Sequence, residues 1–362
     1  MPLFDLAPKD SPKSLYGREA ELDQIVRLVN AGRWTVLLGP RMMGKTSLAL
    51  AALHRAGRPG VYVNLWGARG APGLLNAFVQ GLNANRTLLA RVRRALQRVD
   101  GVSVGAAGIT LAARTHPMRT LWDFVGLIAE ESERAIVILD EVQELASISG
   151  PLLKMLANIF ATHPKVVFVF TGSYFGLLRM LLEPPSHSPL FGRSPAHLRL
   201  DPFPRETSVS FLEAGLKEYG IRPPRERLEA LVDRSLDGVP GWLALYGSHV
   251  AVQRLSSEEA ERLTVREGKK VVRNELAHFL ESRHPAPYWT TLRALMPEAT
   301  WTELRNALSA RQGAAVNDNS VRRILRSLLD ANLIVEREHR YSIGDPMVRA
   351  YVRDTTSPPR PT

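Results

Sequence analysis

A short glycine-rich segment limits this chain to a small number of folds. Residues 39–46 read Gly-Pro-Arg-Met-Met-Gly-Lys-Thr and match the pattern G-x-x-x-x-G-K-[ST]. The segment follows a strand candidate and opens a helix candidate, which is the context that the pattern requires. Such a loop wraps phosphates with its backbone N–H groups, and the helix N-terminus adds a favourable dipole. We therefore expect a nucleoside triphosphate to bind between strand and helix over residues 36–55.

Individual residues of this segment have expected roles in binding the triphosphate and Mg²⁺. Lys45 would supply a mobile cation for the β and γ phosphates, and the Thr46 hydroxyl would be a ligand to Mg²⁺. The alternative is a glycine-rich turn with a purely structural role. The residues expected to contact the nucleotide are Gly39, Pro40, Arg41, Met42, Met43, Gly44, Lys45, Thr46 and Ser47.

A pair of acidic residues ends a later strand candidate. Residues 136–141 read Ile-Val-Ile-Leu-Asp-Glu, so four apolar residues deliver Asp140 and Glu141 to the carboxyl end of a buried strand. Asp140 is expected to hold Mg²⁺ through water, and Glu141 to orient and deprotonate the attacking water. Strands often end in acidic residues, so the pair alone does not identify a catalytic site. Its position after the glycine-rich segment is what supports a catalytic role. Together the two motifs predict hydrolysis of the bound nucleotide.

Two further candidates concern the γ-phosphate. The strand that ends at residues 171–173, Thr-Gly-Ser, places small hydroxyls beside the carboxylates. Ser173 is the first choice for sensing the γ-phosphate and Thr171 the second, with a capping role as the alternative. Arg193 precedes the last strand candidate, where a guanidinium would reach transition-state charge in its own chain or in a neighbour. A surface salt bridge is the alternative for Arg193.

Alternating strands and helices from residue 35 to about 200 predict an α/β fold with a parallel sheet and helices on its faces. The strand candidates are short and apolar, as strands buried on both faces are: Thr35 to Leu38, Val61 to Leu65, Ile136 to Leu139, Val166 to Phe170 and His197 to Leu200. The expected domains are an ATPase core at 1–204 with a basic helix and hairpin insertion at about 68–120, a helical lid at 205–284, a winged helix at 285–355 and a disordered tail at 356–362.

The winged helix is expected because three helices and a hairpin follow residue 285. Its third helix repeats apolar residues at helical spacing and leaves basic residues on the outer side. The chain carries a formal charge of +11, and residues 82–120 hold seven arginines against one acid. Double-stranded DNA and a protein are both open as partners of these surfaces. The DNA-contact candidates are Arg322, Arg323, Arg326, Arg91, Arg94 and Arg98.

The absence of cysteine excludes disulfides and thiolate metal sites, and it favours a cytoplasmic location. The first ten residues lack the pattern of a secretory leader, and no apolar run was expected to approach the ~18 residues of a membrane span. We therefore expect a protein without a membrane partner. Its oligomeric state stays open between a resting monomer and a nucleotide-dependent oligomer.

The order of the motifs resembles the archaeal ATPases of the STAND class, relatives of AAA+ proteins and Orc/Cdc6 initiators. The resemblance is carried by Gly-Arg-Glu-Ala-Glu-Leu at 17–22, the Gly-Lys-Thr loop, the Asp-Glu strand, Thr-Gly-Ser, Phe-Gly-Arg at 191–193, Gly-Val-Pro-Gly at 238–241 and Gly-Asp-Pro at 344–346. It implies the strand order 5-1-4-3-2, counted over the five core strands. It also implies ATP and ADP with Mg²⁺ as ligands, and adenine bordered by Tyr16, Gly17 and Arg18, with Gly238 and Pro240 approaching from the lid.

The resemblance further implies slow, switch-like hydrolysis. The lid has no clear second-sensor arginine of the kind that AAA+ motors use, which argues against motor-like coupling. The leading hypothesis is an ATP-controlled switch that moves the winged helix. A DNA-translocating or remodelling ATPase and a signalling ATPase with a protein partner are the alternatives. A small-molecule kinase fits less well, because Asp140 and Glu141 suit water activation.

Overall fold

The fold is described from a computed structural model that covers residues 1–113, 115–172, 177–186, 188–281 and 283–359. The chain divides into two compact units. The sheet unit contains Pro8–Gly39 and Gly44–Leu200. The helical unit contains Met1–Ala7, Pro40–Met43 and Asp201–Thr362. The loop segment Pro40–Met43 therefore groups with the helical unit, although its neighbours on both sides belong to the sheet unit.

The sheet unit has seven strands and seven α-helices among its described residues. The strands are β1 Thr35–Leu38, β2 Gly60–Asn64, β3 Val102–Gly105, β4 Gly108–Leu111, β5 Ala135–Asp140, β6 Val166–Thr171 and β7 Ala196–Arg199. The helices are α1 Glu19–Asn30, α2 Lys45–Ala56, α3 Gly70–Ala84, α4 Arg86–Leu96, α5 Pro117–Glu130, α6 Ser149–Thr162 and α7 Leu177–Leu182, with 3-10 turns at Pro12–Ser14 and Val142–Ile148.

Five of these strands form a parallel sheet in the order β2-β5-β6-β1-β7. This numbering differs from the expected 5-1-4-3-2 because the hairpin strands take the numbers β3 and β4. Every residue of β5 and β6 is buried, as the continuous apolar runs of central strands require. Because parallel strands point the same way, their carboxyl ends meet at one edge of the sheet.

The insertion between β2 and β5 forms α4 and an antiparallel hairpin of β3 and β4. Asn83 on α3 fastens the hairpin, because its amide donates to the Ile109 carbonyl at 3.3 Å and accepts from the Ile109 N–H at 2.7 Å. Helix α4 buries Leu88, Val92 and Leu96. The expected hairpin is therefore present and is held by a specific side-chain contact.

The helical unit contains eight α-helices and a three-stranded sheet among its described residues. The helices are α8 Arg205–Glu218, α9 Arg225–Leu231, α10 Pro240–Ala251, α11 Ser257–Leu280, α12 Pro285–Ala294, α13 Trp301–Gln312, α14 Asp318–Asp330 and α15 Pro346–Asp354. A π-helical turn at Val232–Leu236 follows α9. The strands are β8 Glu298–Thr300, β9 Ile334–Arg337 and β10 Arg340–Ile343, in the antiparallel order β8-β10-β9.

Phe4 anchors the N-terminus of the chain in the helical unit. Its side chain is 1% exposed and meets Phe211 edge to face, with the ring centroids 5.7 Å apart. Added Cβ atoms on Gly215 of α8 and Gly247 of α10 would each come within 2.3 Å of its ring. Both helices therefore carry glycine where the phenyl ring packs.

The segment after α15 was expected to be a disordered tail from residue 356, and the structure differs at its first residues. The Thr356 carbonyl accepts a hydrogen bond from the Trp289 indole at 3.3 Å, and Pro359 is buried. The Thr355 carbonyl accepts from Arg293 at 2.9 Å. These contacts hold Thr355 and Thr356 against α12, while residues 360–362 lie outside the described residues.

Among the described residues, Val142–Thr162 is long and apolar enough to cross a membrane by length and composition. The expectation that no stretch reaches this threshold is therefore wrong. The stretch is not one continuous α-helix, because a 3-10 turn at Val142–Ile148 precedes α6 and the backbone of Leu145 is non-helical. Core helices of soluble proteins pass the same test, so the finding is weak evidence for a membrane span.

Candidate nucleotide site

The loop between β1 and α2 has the backbone conformation that a phosphate-wrapping loop needs. Gly39 has φ 147°, and an added Cβ would lie 2.8 Å from the Leu200 carbonyl oxygen. Gly44 adopts the left-handed conformation immediately before α2, and a Cβ there would point into open space. The Lys45 ammonium donates to the Gly39 carbonyl at 2.8 Å, so it lies over the loop. Two conformationally free glycines, a cation and a helix N-terminus together fit a triphosphate.

Three hydroxyl groups converge on the carboxylate of Asp140, which ends β5 and is 3% exposed. Thr46 on α2 donates to Oδ2 at 2.9 Å, and the Tyr62 phenol on β2 donates to the same oxygen at 2.7 Å. The Thr171 hydroxyl at the end of β6 donates to Oδ1. Hydroxyl and carboxylate oxygens are the ligands that Mg²⁺ prefers, so Thr46 and Asp140 fit the expected cation.

Glu141 lies beside this cluster in a left-handed conformation, with φ 61°. Its N–H donates to the Thr171 hydroxyl at 3.4 Å. The amide of Gln143 donates to Oε2 of its carboxylate. A Cβ on Gly172 would lie 2.3 Å from Oε1 of Gln143, so the glycine makes room for this amide. The carboxylate expected to activate water is therefore held by Gln143.

The pKa of the Tyr62 phenol is raised well above its usual range by burial and by the neighbouring charges of Asp140 and Glu141. A phenol that stays protonated remains a hydrogen-bond donor. Tyr62 therefore donates to Asp140 over the whole range in which the protein is handled.

The N-terminal segment of the sheet unit runs beside the first turn of α2. The Lys9 N–H donates to the Ser47 hydroxyl at 3.0 Å. Arg18 is 6% exposed and pairs with Glu21 at 2.8 Å, immediately before and within α1. Gly17 has φ 62°, and its N–H donates to Glu19 at 3.3 Å. These contacts hold Gly17 and Arg18, two of the three residues expected to border adenine.

The Gly-Val-Pro-Gly element of the helical unit requires glycine for its backbone conformation and close packing. Gly238 has φ 71°, and an added Cβ would lie 2.2 Å from the Phe203 carbonyl oxygen. Pro240 opens α10 at its first position. The next N–H, that of Gly241, donates to the Met42 carbonyl at 2.8 Å. The loop segment Pro40–Met43 is thus bonded to the start of α10.

A family model described as an ATPase domain predominantly from Archaea matches residues 15–245. The chain belongs to this family. The match spans both the loop before α2 and the start of α10, so the enzyme is an ATPase and nucleotide binding follows from its family. No curated protein matches the chain.

Solved structures extend the likeness over the whole chain. A Walker-type ATPase of Pyrococcus abyssi is 27% identical with a TM-score of 0.78, covering 97% of this chain and 99% of that chain. The ORC2 protein of Aeropyrum pernix, in ADPNP–ADP complexes, is 17% identical with a TM-score of 0.63 and coverages of 97% and 96%. Cdc6p of Pyrobaculum aerophilum is 17% identical with a TM-score of 0.52 and coverages of 96% and 96%. The last two show the fold alone.

In this ATPase, Thr171 reaches the carboxylates and Ser173 lies outside the described residues. Thr171 is fully buried, donates to Asp140 and accepts from the backbone of Glu141. Thr171, the second choice for the γ-phosphate sensor, is thus the candidate for which the structure describes contacts.

Arg193 lies at the opposite edge of the sheet from the carboxylates. Its guanidinium lies over the Phe160 ring, 5.7 Å from the centroid, near the end of α6. The strand register aligns Ala196 of β7 with Ile138 of β5, through Thr35 and Val169. Asp140 is therefore about five residues, or roughly 16 Å, farther along the strand direction than Arg193. This geometry argues against action of Arg193 on the carboxylates of its own chain.

The basic residues predicted to contact DNA are exposed in two parts of the chain. Helix α14 buries Val321, Ile324, Leu325 and Leu328, as its apolar spacing predicted, and exposes Arg322, Arg323 and Arg326. Arg91 and Arg94 are exposed on α4, and Arg98 is exposed in the turn that follows this helix. Each set of arginines thus lies on the surface of its own unit.

Tyr62 and Gln143 were not predicted from the sequence, although both touch the acidic pair. Tyr62 pairs with Ile138 in the sheet, two residues before Asp140, and parallel alternation puts all three side chains on one face. Recognising it requires the knowledge that β2 and β5 are neighbours. Gln143 follows Glu141 by two residues, and only the turn at Val142–Ile148 brings its amide back to the carboxylate.

Proposed function

We propose that this ATPase is a Mg²⁺-dependent, slowly hydrolysing switch whose nucleotide state controls a C-terminal winged helix. The observation that carries the proposal is a path within the helical unit. The Gly241 N–H bonds the carbonyl of Met42 in the nucleotide-binding loop, and the next residue, Trp242, donates its indole N–H to Asp345 at 3.1 Å. Asp345 in turn accepts from the backbone of Met347 at 2.7 Å at the start of α15.

The chemical roles follow from the groups present in the sheet unit. Lys45 and the backbone of the loop would bind the phosphates, while Thr46 and Asp140 would hold Mg²⁺, with Asp140 acting through water. When bound, Mg²⁺ would neutralise charge on the β and γ phosphates. Glu141 would take the proton of the attacking water, and Thr171 would be the hydroxyl near the γ-phosphate.

Slow hydrolysis is supported by the contact between Gln143 and Glu141. The Gln143 amide occupies Oε2 of Glu141, an oxygen that would otherwise accept from the attacking water. Glu141 would have to release this amide, or share its charge with it, in order to activate water. Such a contact suits a switch better than a rapid motor.

The winged helix is proposed for residues 285–355 because α12, α13 and α14 are followed by the β9–β10 hairpin. A second link to the preceding helices supports control by the lid, since Arg349 on α15 pairs with Asp237 at 2.6 Å. Nucleotide-dependent changes at Met42 would alter the position of α10, and the two links would pass that change to α15.

Double-stranded DNA is the partner that the exposed arginines of α14 favour. The alternative is a signalling ATPase in which the same domain docks a protein, and a DNA-translocating or remodelling ATPase comes third. We place the protein in the cytoplasm.

The experiment is duplex DNA binding at several salt concentrations with ATP or ADP present. Replacement of Arg322, Arg323 and Arg326 by alanine should weaken binding at low salt and flatten its salt dependence. A matched control removes three exposed arginines elsewhere in the helical unit: Arg222, Arg262 and Arg311. Binding that is unaffected by the first triple variant, or unaffected by the nucleotide, would favour the protein-partner alternative.

A further inference from the structure

We infer that Tyr62 is a positioning residue for Asp140, which its phenol holds so that the carboxylate meets a divalent cation through water. The inference rests on the proposed metal role of Thr46 and Asp140. It extends that role to the neighbouring strand β2, which the glycine-rich loop and the acidic pair do not include.

The first step is the filling of the acceptor sites of Asp140. An ionised carboxylate accepts hydrogen bonds only, at about four lone-pair positions. The Tyr62 phenol and the Thr46 hydroxyl both donate to Oδ2, at 2.7 Å and 2.9 Å. Thr171 donates to Oδ1. Three of the four positions are thus used by protein hydroxyls, and both positions of Oδ2 are among them. Direct coordination through Oδ2 would displace Tyr62 or Thr46, whereas a cation-bound water can donate to the position that remains on Oδ1.

The second step is that the three hydroxyls have different roles. Thr46 also has to serve the cation, and Thr171 also accepts from the Glu141 backbone at 3.4 Å. Tyr62 is the hydroxyl among the three that lies on neither the α2 N-terminus nor the strand end of β6. It can hold the carboxylate while the other two respond to nucleotide.

The third step is the rigidity of Tyr62. Its backbone pairs with Ile138 on β5, and α3 packs directly against its carbonyl because residue 81 is glycine. An added Cβ on Gly81 would lie only 2.3 Å from that carbonyl oxygen. The phenol therefore projects from an edge strand that is paired with β5 and packed against α3, which suits a group that orients another side chain.

The consequence is specific to the cation. Without the phenol, the Asp140 carboxylate keeps its hydrogen bonds to Thr46 and Thr171, but Oδ2 loses the shorter of its two hydrogen bonds. The carboxylate would then be less well oriented when the cation binds, while the contacts between the loop and the phosphates stay intact.

The experiment compares Tyr62→Phe with the wild type in calorimetric binding of the non-hydrolysable analogue ADPNP, with MgCl₂ and with EDTA. We expect the affinity in EDTA to stay within about twofold and the gain on adding Mg²⁺ to fall about tenfold. Tyr341→Phe is the matched control, because Tyr341 also lies beside a carboxylate, that of Glu336, its partner across the β9–β10 pair. It should leave both affinities unchanged.

Two results separate this inference from the proposed metal site. If the wild type shows no Mg²⁺-dependent gain, the metal role of Thr46 and Asp140 fails and the inference fails with it. If the wild type shows the gain and Tyr62→Phe keeps all of it, or loses affinity equally in EDTA, only the role of Tyr62 is overturned.

A measurement without ligand guards against a folding defect. A double-mutant cycle of Tyr62→Phe and Asp140→Asn in urea unfolding should give a coupling of about tenfold in the unfolding equilibrium constant. Additive effects would show that the phenol does not hold the carboxylate and would overturn the inference.

Discussion

Thr46 and Asp140 lie 94 positions apart in the chain, and the Thr46 hydroxyl donates a hydrogen bond to the Asp140 carboxylate at 2.9 Å. Thr46 lies in the first turn of α2, the helix after the nucleotide-binding loop. Asp140 ends the buried strand β5, which lies two places from β1 in the sheet. The sheet order that brings them together also brings Tyr62 and Thr171 to the same carboxylate. Local motifs and sheet topology thus build one polar cluster.

The packing of α3 on β2 predicts different outcomes for two helical glycines. Gly81→Ala should destabilise the fold by about 1–3 kcal/mol, because its Cβ would meet the Tyr62 carbonyl and the helix has to move. Gly150→Ala in α6 is the control, since nothing lies within 4 Å of its added Cβ. It should be neutral or stabilising by up to about 1 kcal/mol. Urea unfolding measures both, and equal effects would contradict the packing described.

The Thr171 hydroxyl predicts a separation of hydrolysis from binding. Thr171→Val keeps the shape of the side chain but leaves Asp140 and the Glu141 N–H without their shared partner. We expect kcat to fall at least about tenfold with little change in ATP affinity, and Thr171→Ser to restore most of the rate. Thr162→Val removes a hydroxyl that bonds only its own helix at Asn158, so its rate should be that of the wild type. An unchanged rate in Thr171→Val would rule out a role in turnover.

The bond between Trp242 and Asp345 predicts a pH-dependent loss of stability. Burial raises the pKa of Asp345, and the hydrogen bond from Trp242 lowers it. A raised pKa in the folded state means that stability from this group is lost as pH rises through that pKa. Trp242→Phe removes a bond that favours the ionised form and so raises the pKa further. Its deficit against the wild type should therefore grow as the pH rises through the raised pKa of Asp345, and reach about 1–3 kcal/mol once Asp345 is ionised in the folded wild type.

Trp289→Phe provides the control for this pH series. The Trp289 indole donates to the neutral carbonyl of Thr356 at 3.3 Å, so its loss should cost the same at every pH. The free energy of unfolding of both variants and of the wild type is measured between pH 3 and pH 8 and compared. Parallel curves for the two variants would contradict the influence of the Trp242 hydrogen bond on the pKa of Asp345.

The position of Arg193 predicts dependence on protein concentration. Because its guanidinium lies over Phe160 at the amino ends of the strands, Arg193→Ala should leave the hydrolysis rate of the dilute protein unchanged. A loss of rate that appears only at high concentration would indicate action on a neighbouring copy. Arg119→Ala, an exposed arginine on α5, is the control. A loss at every dilution would show that Arg193 acts within its own chain after all.

The sequence was sufficient where the chemistry is local. The loop at 39–46 and the acidic pair are contiguous motifs, and the five core strands follow from short apolar runs. The outward arginines of α14 follow from helical spacing alone.

The residues that were missed depend on which strands are neighbours. Tyr62 reaches Asp140 only because β2 pairs with β5, and Gln143 reaches Glu141 only because the chain turns sharply after the strand. Arg193 precedes β7 and therefore lies at the amino ends of the parallel strands, whereas Asp140 lies at a carboxyl end. The sequence order already implied this difference. The contact of Thr356 with Trp289 depends on tertiary packing that composition does not encode. The apolar stretch at Val142–Thr162 is a property of length and composition, and the search for an unbroken apolar run missed it.

The most direct test of the ATPase switch is ATP hydrolysis by the purified protein and by Glu141→Gln, with nucleotide binding measured in parallel. Glu144→Gln, a neighbouring acid in the same 3-10 turn, is the control. The account predicts a slow basal rate, its loss by at least about a hundredfold in Glu141→Gln with ATP affinity retained, and no change in Glu144→Gln. Hydrolysis that persists in Glu141→Gln would contradict the assignment of Glu141 as the water-activating base.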